Sequence, residues 1–162
     1  MTTLTQERLK ELLNYDPETG VFTWKVRPAR RVQIGDAAGH FGTHGYRYLK
    51  LKQIRYCEHR LVWFYVHGVW PKHEIDHIDG DKANNRIANL RDVTRSVNVQ
   101  NRRSAQGNNL CGFLGVQLNG KNWSARIQTD GQVLRLGTFG TPEEAHQVYL
   151  AAKRKLHVGN TL

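Results

Sequence analysis

Three polar residues between positions 74 and 102 have the types and spacing that metal-assisted hydrolysis of a phosphodiester requires. Asp76 and His77 are adjacent at the end of a short apolar run, and Asn98 follows further along the chain. A carboxylate and a side-chain carbonyl are ligands that a hard divalent cation prefers. A histidine on the opposite face of a strand from that carboxylate can take a proton from the attacking water. The residues therefore predict a hydrolytic site in which Asp76 and Asn98 hold the cation and His77 is the base.

The pattern around these residues predicts a strand, a loop, a second strand and a helix. Apolar alternation favours strands at 74–78 and near 87–93, and a helix is predicted from about Ser96. Aspartate, asparagine and glycine form turns readily, so the loop residues are interpreted as turn formers: Asp79, Gly80, Asp81, Asn84 and Asn85. The loop also has a D-x-D pair at 79 and 81, as calcium loops do, but no glutamate occupies the bidentate position.

This stretch, which reads DHIDGDKANNRIANLR and then VTRSVNVQN, resembles the catalytic motif of HNH endonucleases of the ββα-metal group. It is similar to the homing-endonuclease branch found in phage genomes, and the upstream HRLV at 59–62 also fits that family. The resemblance implies that Asp76 and Asn98 are metal ligands and that His77 is the general base.

The same resemblance assigns Asn89 to the middle position of the motif, as a catalytic-site residue whose side chain fastens the loop and does not touch the metal. Asn98 stands where other branches of the family carry histidine. An oxygen ligand at this position makes a zinc site less favourable and favours magnesium or manganese.

Composition points to a polyanionic partner. The 162 residues carry 24 Lys and Arg against 14 Asp and Glu, a formal net charge of +10 spread through the chain. Such a balance favours nucleic acid first and a membrane surface second. Cys57 and Cys111 are too few for a disulfide framework, and neither a secretory signal nor a run of about 18 apolar residues is present. These features predict a cytoplasmic protein (host-cell cytoplasm if phage-encoded) with no obligate protein partner.

The N-terminal region is predicted to alternate helices and strands. Helices are predicted at 5–14, with Thr5 or Thr3 as the cap, and at 58–67, ending at Gly68. Strands are predicted at 21–26, 46–51 and 54–57, and the glycine-rich stretch 35–45 is interpreted as turns. We interpret His59 and His67 as structural residues, and the family's HRLV segment suggests that His59 braces the catalytic loop.

A second module is predicted at 110–162, after a nuclease region at 1–103 and a short polar linker at 104–109. Three strands at 114–118, 123–128 and 133–139 are joined by Asn-Gly and Asp-Gly pairs, which are strong hairpin signals. A helix follows from Thr141, with proline at its first position and acidic residues in its first turn.

This module resembles the DNA-binding domain of the Apetala and ethylene-response-factor type, through GV at 115–116, WSARI at 123–127, LGTF at 136–139 and the TPEEA helix. In that family the sheet face away from the helix lies in the major groove, so the predicted DNA contacts are Gln117, Lys121, Arg126, Gln128 and Arg135. If five residues face the helix, namely Val116, Ala125, Ile127, Leu134 and Leu136, then alternation turns six outward: Gln117, Ser124, Arg126, Gln128, Val133 and Arg135. Leu114 and Gln117 stand where the plant proteins carry arginine, and Arg126 where they carry an acid.

Together these features predict an α+β protein, a ββα-metal nuclease region followed by a three-stranded antiparallel sheet packed on one helix. The predicted function is a site-selective, homing-type DNA endonuclease that uses Mg²⁺ or Mn²⁺ to cut double-stranded DNA, nicking it as a monomer. A catalytically silent DNA-binding regulator or accessory protein is the alternative from another class. RNA cleavage is left open by the motif and disfavoured by a major-groove reader.

Overall fold

The computed structural model describes residues 4–105, 109 and 111–161. The chain divides into two compact units, residues 1–94 and 95–162. Both units mix short helices with small antiparallel sheets, an α+β organisation. The predicted linker at 104–109 falls partly outside the described residues, because 106–108 are among those not described. No helix in the described ranges is long and apolar enough to cross a membrane.

Residues 4–94 of the first unit form three small sheets and two α-helices. In chain order its elements are α1 (Gln6–Leu12), β1 (Leu13–Asp16), β2 (Val21–Trp24), β3 (His40–Phe41), β4 (Arg47–Leu51), β5 (Ile54–Cys57), α2 (Glu58–His67), β6 (Glu74–His77), a 3-10 turn (Ile87–Asn89) and β7 (Leu90–Val93). β1 pairs with β2, β4 lies between β3 and β5, and β6 pairs with β7, all antiparallel.

The N-terminal helix is shorter than predicted. Thr5 caps α1 as expected, its side chain accepting a hydrogen bond from the Arg8 amide, but the helix ends at Leu12. Leu13 instead begins a strand whose residues alternate between buried and more exposed positions against β2. Consecutive leucines fit a helical stripe and a strand equally well, so the long-range pairing with β2 decided the outcome.

Of four other predictions for the first unit, two are confirmed and two need correction. The helix at 58–67 is confirmed, and Gly68 ends it at a positive φ of 74°. The stretch 35–45, expected to form turns only, contains β3. The strand at 74–78 is present as β6, whereas the strand expected near 87–93 starts with a 3-10 turn and becomes extended only at Leu90.

One apolar core holds the first unit together. It joins both helices to the sheets through fully buried side chains such as Leu9, Phe22, Leu49, Leu61 and Val62. β6 and β7 each add one residue to this core, Ile75 and Leu90. The strand that carries Asp76 and His77 is therefore anchored in the apolar core of the unit.

The second unit contains a short helix, a three-stranded sheet and a longer helix. The elements are α3 (Arg95–Gln100), β8 (Val116–Asn119), β9 (Asn122–Thr129), β10 (Gln132–Phe139) and α4 (Pro142–Leu156), with β9 at the centre of the sheet. The predicted turn between β9 and β10 is confirmed: Asp130 and Gly131 have φ of 50° and 77°, as a two-residue hairpin turn with two positive φ angles requires. Thr141 caps α4 through the Glu144 amide, also as predicted.

α4 packs against the sheet along one stripe. Ala145, Tyr149 and Lys153, spaced four residues apart, are its buried positions. Lys153 is only 1% exposed, and its ammonium group donates a 2.5 Å hydrogen bond to the carbonyl of Arg102. Burial lowers the pKa of Lys153, with a smaller contribution from the charges of Arg103 and Arg102.

Candidate active site

The β6–β7 hairpin carries the Asp-His pair. Asp76 and His77 are both buried on β6, where they face Arg91 and Leu90 across the ladder. Arg91 donates from Nε (2.8 Å) and from its terminal nitrogen (2.6 Å) to the same Asp76 oxygen, Oδ2. A carboxylate buried to this extent needs such a partner, because an unpaired charge in a protein interior is costly.

His77 is hydrogen-bonded to a residue of the β6–β7 loop that the sequence pattern does not identify as a site residue. Its Nε2 lies 3.1 Å from Oδ1 of Asn85, whose side chain is fully buried. The Asn85 amide nitrogen donates to Glu58 Oε2 at 3.2 Å, and Arg47 Nε donates to that same oxygen at 2.5 Å. A continuous line of hydrogen bonds therefore runs from Arg47 on β4 through Glu58 on α2 to His77.

Glu58 is an acid in the core of the first unit. Burial raises its pKa, and the hydrogen bond and charge of Arg47 act against that rise. Its Oε1 is buried with no hydrogen-bond partner in the described part of the chain. A Cβ on Gly39, which has a φ of +89°, would lie 2.8 Å from that oxygen, so the backbone reaches Glu58 only because residue 39 is glycine.

Asn89 ties the loop between β6 and β7 together. Its amide nitrogen donates to Asp79 Oδ1 and to the Asn84 carbonyl, both at 2.9 Å, while its Oδ1 accepts from the Asp79 amide at 3.0 Å. Burial would raise the pKa of Asp79, but hydrogen bonds from Asn84 and Asn89 outweigh it and lower the pKa. This geometry is what the fastening role expected of Asn89 requires.

The N-terminal hairpin holds the other end of the same loop. The Tyr15 hydroxyl donates to the carbonyl of Asn85 and accepts from the amide of Ile87, at 2.9 Å each. Gly20, in the turn between β1 and β2, approaches the loop so closely that a Cβ there would lie 2.5 Å from the Arg86 amide nitrogen. The backbone on both sides of the Asn85 side chain is thus fixed by β1 and β2.

Aromatic rings cover one side of His77. His59, on α2, meets the His77 ring edge to face with centroids 5.3 Å apart, and Tyr46 lies 5.3 Å from His59 and 6.0 Å from His77. His59 is 8% exposed, and its Nδ1 has no hydrogen-bond partner among the described residues. Burial lowers its pKa from 6.5 to about 3, helped by the nearby His77 and Arg60. His59 is therefore a neutral packing residue beside His77.

The second predicted ligand belongs to the other compact unit. Asn98 is half-buried on α3, in residues 95–162, whereas Asp76 and His77 lie in residues 1–94. No group of three or more His, Cys, Asp or Glu side chains suited to a metal occurs in the part of the chain that the structure describes. A carboxylate and an amide carbonyl nevertheless suit a hard cation that keeps several of its waters, so the donor types fit magnesium or manganese better than zinc.

The predicted reading face lies on the sheet of the second unit. Gln117, Lys121, Gln128 and Arg135 are exposed, and Arg126 is half-buried on the central strand. Arg126 and Arg135 are directly opposite each other in the β9–β10 register. Gln117, Arg126 and Gln128 line a cavity of about 760 Å³.

Two residues of this sheet differ in exposure from what alternation alone suggests. Ser124, expected to face outward, lies opposite Gln117 and Thr138 but is only 3% exposed, because it is a small residue on the central strand. Leu134, expected to face the helix, is 38% exposed. It is paired in regular register with the buried Ile127, and its exposure follows from its place on β10, an edge strand of the sheet.

Sequence reasoning missed four residues that position the site: Tyr15, Arg47, Glu58 and Asn85. Asn85 was interpreted as a turn former because asparagine is common in turns, yet its side chain is fully buried. One usable signal was available for Glu58, an acid in the first turn of a helix predicted to be buried. The other three become recognisable only when distant segments are brought together.

Residues 56–100 match the family model described as HNH endonuclease. This range contains Asp76, His77, Asn89 and Asn98, and it also covers Glu58 and Asn85. No curated protein and no solved structure matches the chain. The match supports an HNH nuclease region, and the likeness of residues 110–162 to the Apetala-type domain stays a prediction.

Proposed function

We propose that this protein is a metal-dependent DNA endonuclease that hydrolyses phosphodiester bonds. One observation carries the proposal: within the segment that matches the HNH endonuclease model, Asp76 and His77 are adjacent and buried on one strand, and His77 is held by the loop that Asn89 fastens. A buried histidine beside a buried carboxylate is costly for a core and useful for catalysis.

The proposed roles follow from side-chain chemistry. His77 takes a proton from the attacking water, and Asn89 keeps the loop in the conformation that orients His77. Asp76 and Asn98 are the proposed ligands of one Mg²⁺ or Mn²⁺. Such a cation, when bound, stabilises negative charge on the phosphate and on the leaving oxygen.

Double-stranded DNA is the proposed substrate. The net charge of +10 supports a polyanion, and the register supports it further, because Arg126 and Arg135 face each other across two strands. Like charges directly opposite destabilise a sheet unless an anion lies between them. We propose that these arginines contact phosphate or guanine, while Gln117, Lys121 and Gln128 complete the contact as in Apetala-type domains.

A homing-type, nicking activity is the finer part of the proposal. It rests on the likeness of the Asp76-to-Asn98 stretch to the phage homing branch and on the single catalytic motif of the chain. One such motif cuts one strand per binding event unless two chains act together.

Cleavage of supercoiled plasmid with Mg²⁺ or Mn²⁺ tests the proposal. We expect open circles from the intact chain and none from His77→Ala or after addition of EDTA. His73→Ala is the matched control, because His73 is an exposed histidine just before β6 and should leave nicking unchanged. Linear product would indicate paired nicks.

DNA binding without cleavage would overturn the proposed endonuclease activity. If the intact chain binds duplex DNA tightly but nicks it with neither ion, the protein is a DNA-binding regulator. Parallel assays on an RNA duplex of the same sequence distinguish the substrate class, and faster cleavage of RNA would contradict the proposed DNA substrate.

A further inference from the structure

Four polar side chains form a line through the interior of the first unit. Glu58 and Asn85 are fully buried and His77 is 4% exposed, while the side chain of Arg47 at the far end is 15% exposed. Three hydrogen bonds connect them in the order Arg47, Glu58, Asn85, His77. Neither the family match nor the sequence motif assigns a role to the first three.

The direction of each hydrogen bond is set by chemistry at the Arg47 end. A guanidinium can only donate, so Glu58 Oε2 is an acceptor for Arg47. Asn85 must also donate to that oxygen, so the Asn85 group that contacts Glu58 is the amide nitrogen. The side-chain carbonyl of Asn85 then points toward His77. An amide carbonyl has no hydrogen to give, so the proton in the remaining bond belongs to His77 Nε2.

The consequence is a defined tautomer of the neutral imidazole. With its proton on Nε2, His77 carries its basic lone pair on Nδ1. We propose that Asn85, oriented by Glu58 and Arg47, is a positioning residue that holds His77 in this tautomer so that Nδ1 accepts the proton of the attacking water. The inference rests on the proposed endonuclease function for its last step only.

Energetics favour a positioning role over simple filling of the core. Replacing a buried ionic group by apolar residues of similar volume is often neutral or stabilising. Here an acid remains in the core with Oε1 lacking a partner in the described residues, and a glycine at positive φ makes room for it. Burial raises the pKa of Glu58, so keeping the group ionised depends on Arg47.

The imidazole tautomer can be measured directly by ¹⁵N NMR on histidine-labelled protein without metal or DNA. At about pH 8 histidine is ordinarily neutral, and the two ring nitrogens then resonate far apart. The His77 signals are identified by their loss in His77→Ala. We expect Nε2 to be the protonated nitrogen in the intact chain, and a mixture of tautomers in Asn85→Leu and in Glu58→Leu.

Two variants separate positioning from folding. Glu58→Gln keeps an acceptor oxygen for both Arg47 and Asn85, so it should retain the tautomer that Glu58→Leu loses. Asn14→Leu removes an exposed asparagine on β1 and should leave the tautomer unchanged. Urea unfolding of every variant shows whether it is folded at the NMR temperature.

Kinetics give the second readout. In Asn85→Leu we expect kcat for DNA cleavage to fall about tenfold to a hundredfold, as is usual when a partner orienting a site residue is removed, with KM for DNA unchanged. Glu58→Gln should recover most of that loss relative to Glu58→Leu. An Nδ1-protonated His77 in the intact chain, or an Asn85→Leu chain with unchanged tautomer and kcat, would overturn the positioning role.

The two proposals fail in different ways. A chain that cuts no DNA, but whose His77 tautomer changes in Asn85→Leu, would overturn the endonuclease while supporting the positioning by Asn85. A chain that cuts DNA, but whose His77 tautomer is the same in Asn85→Leu, would support the endonuclease and overturn the positioning by Asn85.

Discussion

Two histidines in contact occupy different environments in the first unit. His77 is hydrogen-bonded to Asn85 through Nε2, whereas His59 has a buried Nδ1 without a partner in the described part of the chain. Burial is the main reason that the pKa of His59 falls to about 3. A histidine that stays neutral when folded but takes up a proton when unfolded makes stability depend on pH.

Stability should therefore fall between pH 7.5 and pH 5 because of His59. The folded pKa is depressed, so the stabilisation is fully present above the ordinary pKa of 6.5 and is lost as the pH falls toward 3. At about 1.4 kcal/mol per pH unit below 6.5, the unfolded chain gains about 2 kcal/mol at pH 5. We expect the intact chain to lose about 2 kcal/mol more than His59→Gln over this range, measured by urea unfolding.

His73→Gln is the control for that measurement, since His73 is exposed and its loss should leave the pH dependence of the intact chain unchanged. Equal pH dependence in the intact chain and His59→Gln would show that His59 is not held neutral.

At the scale of elements, α4 packs closely against the sheet of the second unit where the Tyr149 ring meets the backbone of Gly115. Gly115 precedes β8 with a φ of +69°, and a Cβ there would lie 2.0 Å from Cδ2 of Tyr149 on α4. The ring of Tyr149 thus rests on the backbone of residue 115, and any side chain at that position would push α4 away from the sheet.

Gly115→Ala should destabilise the second unit by several kcal/mol. Part of the loss, about 1–2 kcal/mol, is the cost of the left-handed backbone, and the clash with Tyr149 adds about 1–3 kcal/mol. Gly112→Ala should show the first part alone, because Gly112 has a φ of +73° and a Cβ there would meet nothing within 4 Å. Thermal and denaturant unfolding of the two variants, compared with the intact chain, measure the difference, and equal losses would contradict the packing role of Gly115.

Charge is the property that belongs to the whole molecule. The net charge of +10 predicts affinity for any polyanion, while the facing pair Arg126 and Arg135 predicts where on the second unit the anion lies. Each phosphate contact releases counterions, so affinity for duplex DNA should fall steeply as salt increases.

Arg135→Gln should make the slope of log K against log salt less steep by about one, as expected when one phosphate contact is lost. Arg8→Gln lowers the net charge equally, but Arg8 is paired with Glu11 on an exposed helix of the first unit, so its slope should remain that of the intact chain. Fluorescence anisotropy with labelled duplex at several salt concentrations measures both. If both variants change the slope equally, net charge alone explains DNA binding and Arg135 makes no specific phosphate contact.

The local features of this protein were determined by its sequence. The helix at 58–67 with its glycine stop, the Asp130-Gly131 turn and the Thr141 cap were all predicted correctly, because each depends on residues within a few positions of one another. The Asp-His pair was likewise found from residue type and spacing, and the family match at 56–100 covers it.

Only the tertiary structure decided what surrounds His77. Arg47, Glu58 and Asn85 come from a strand, a helix and a loop, and Tyr15 reaches the same loop from residues 13–16. The same kind of long-range pairing, here between β1 and β2, ended α1 at Leu12. Periodicity in the sequence indicates which face of an element is apolar. The partner of a buried polar group, however, depends on how segments distant in the chain pack together.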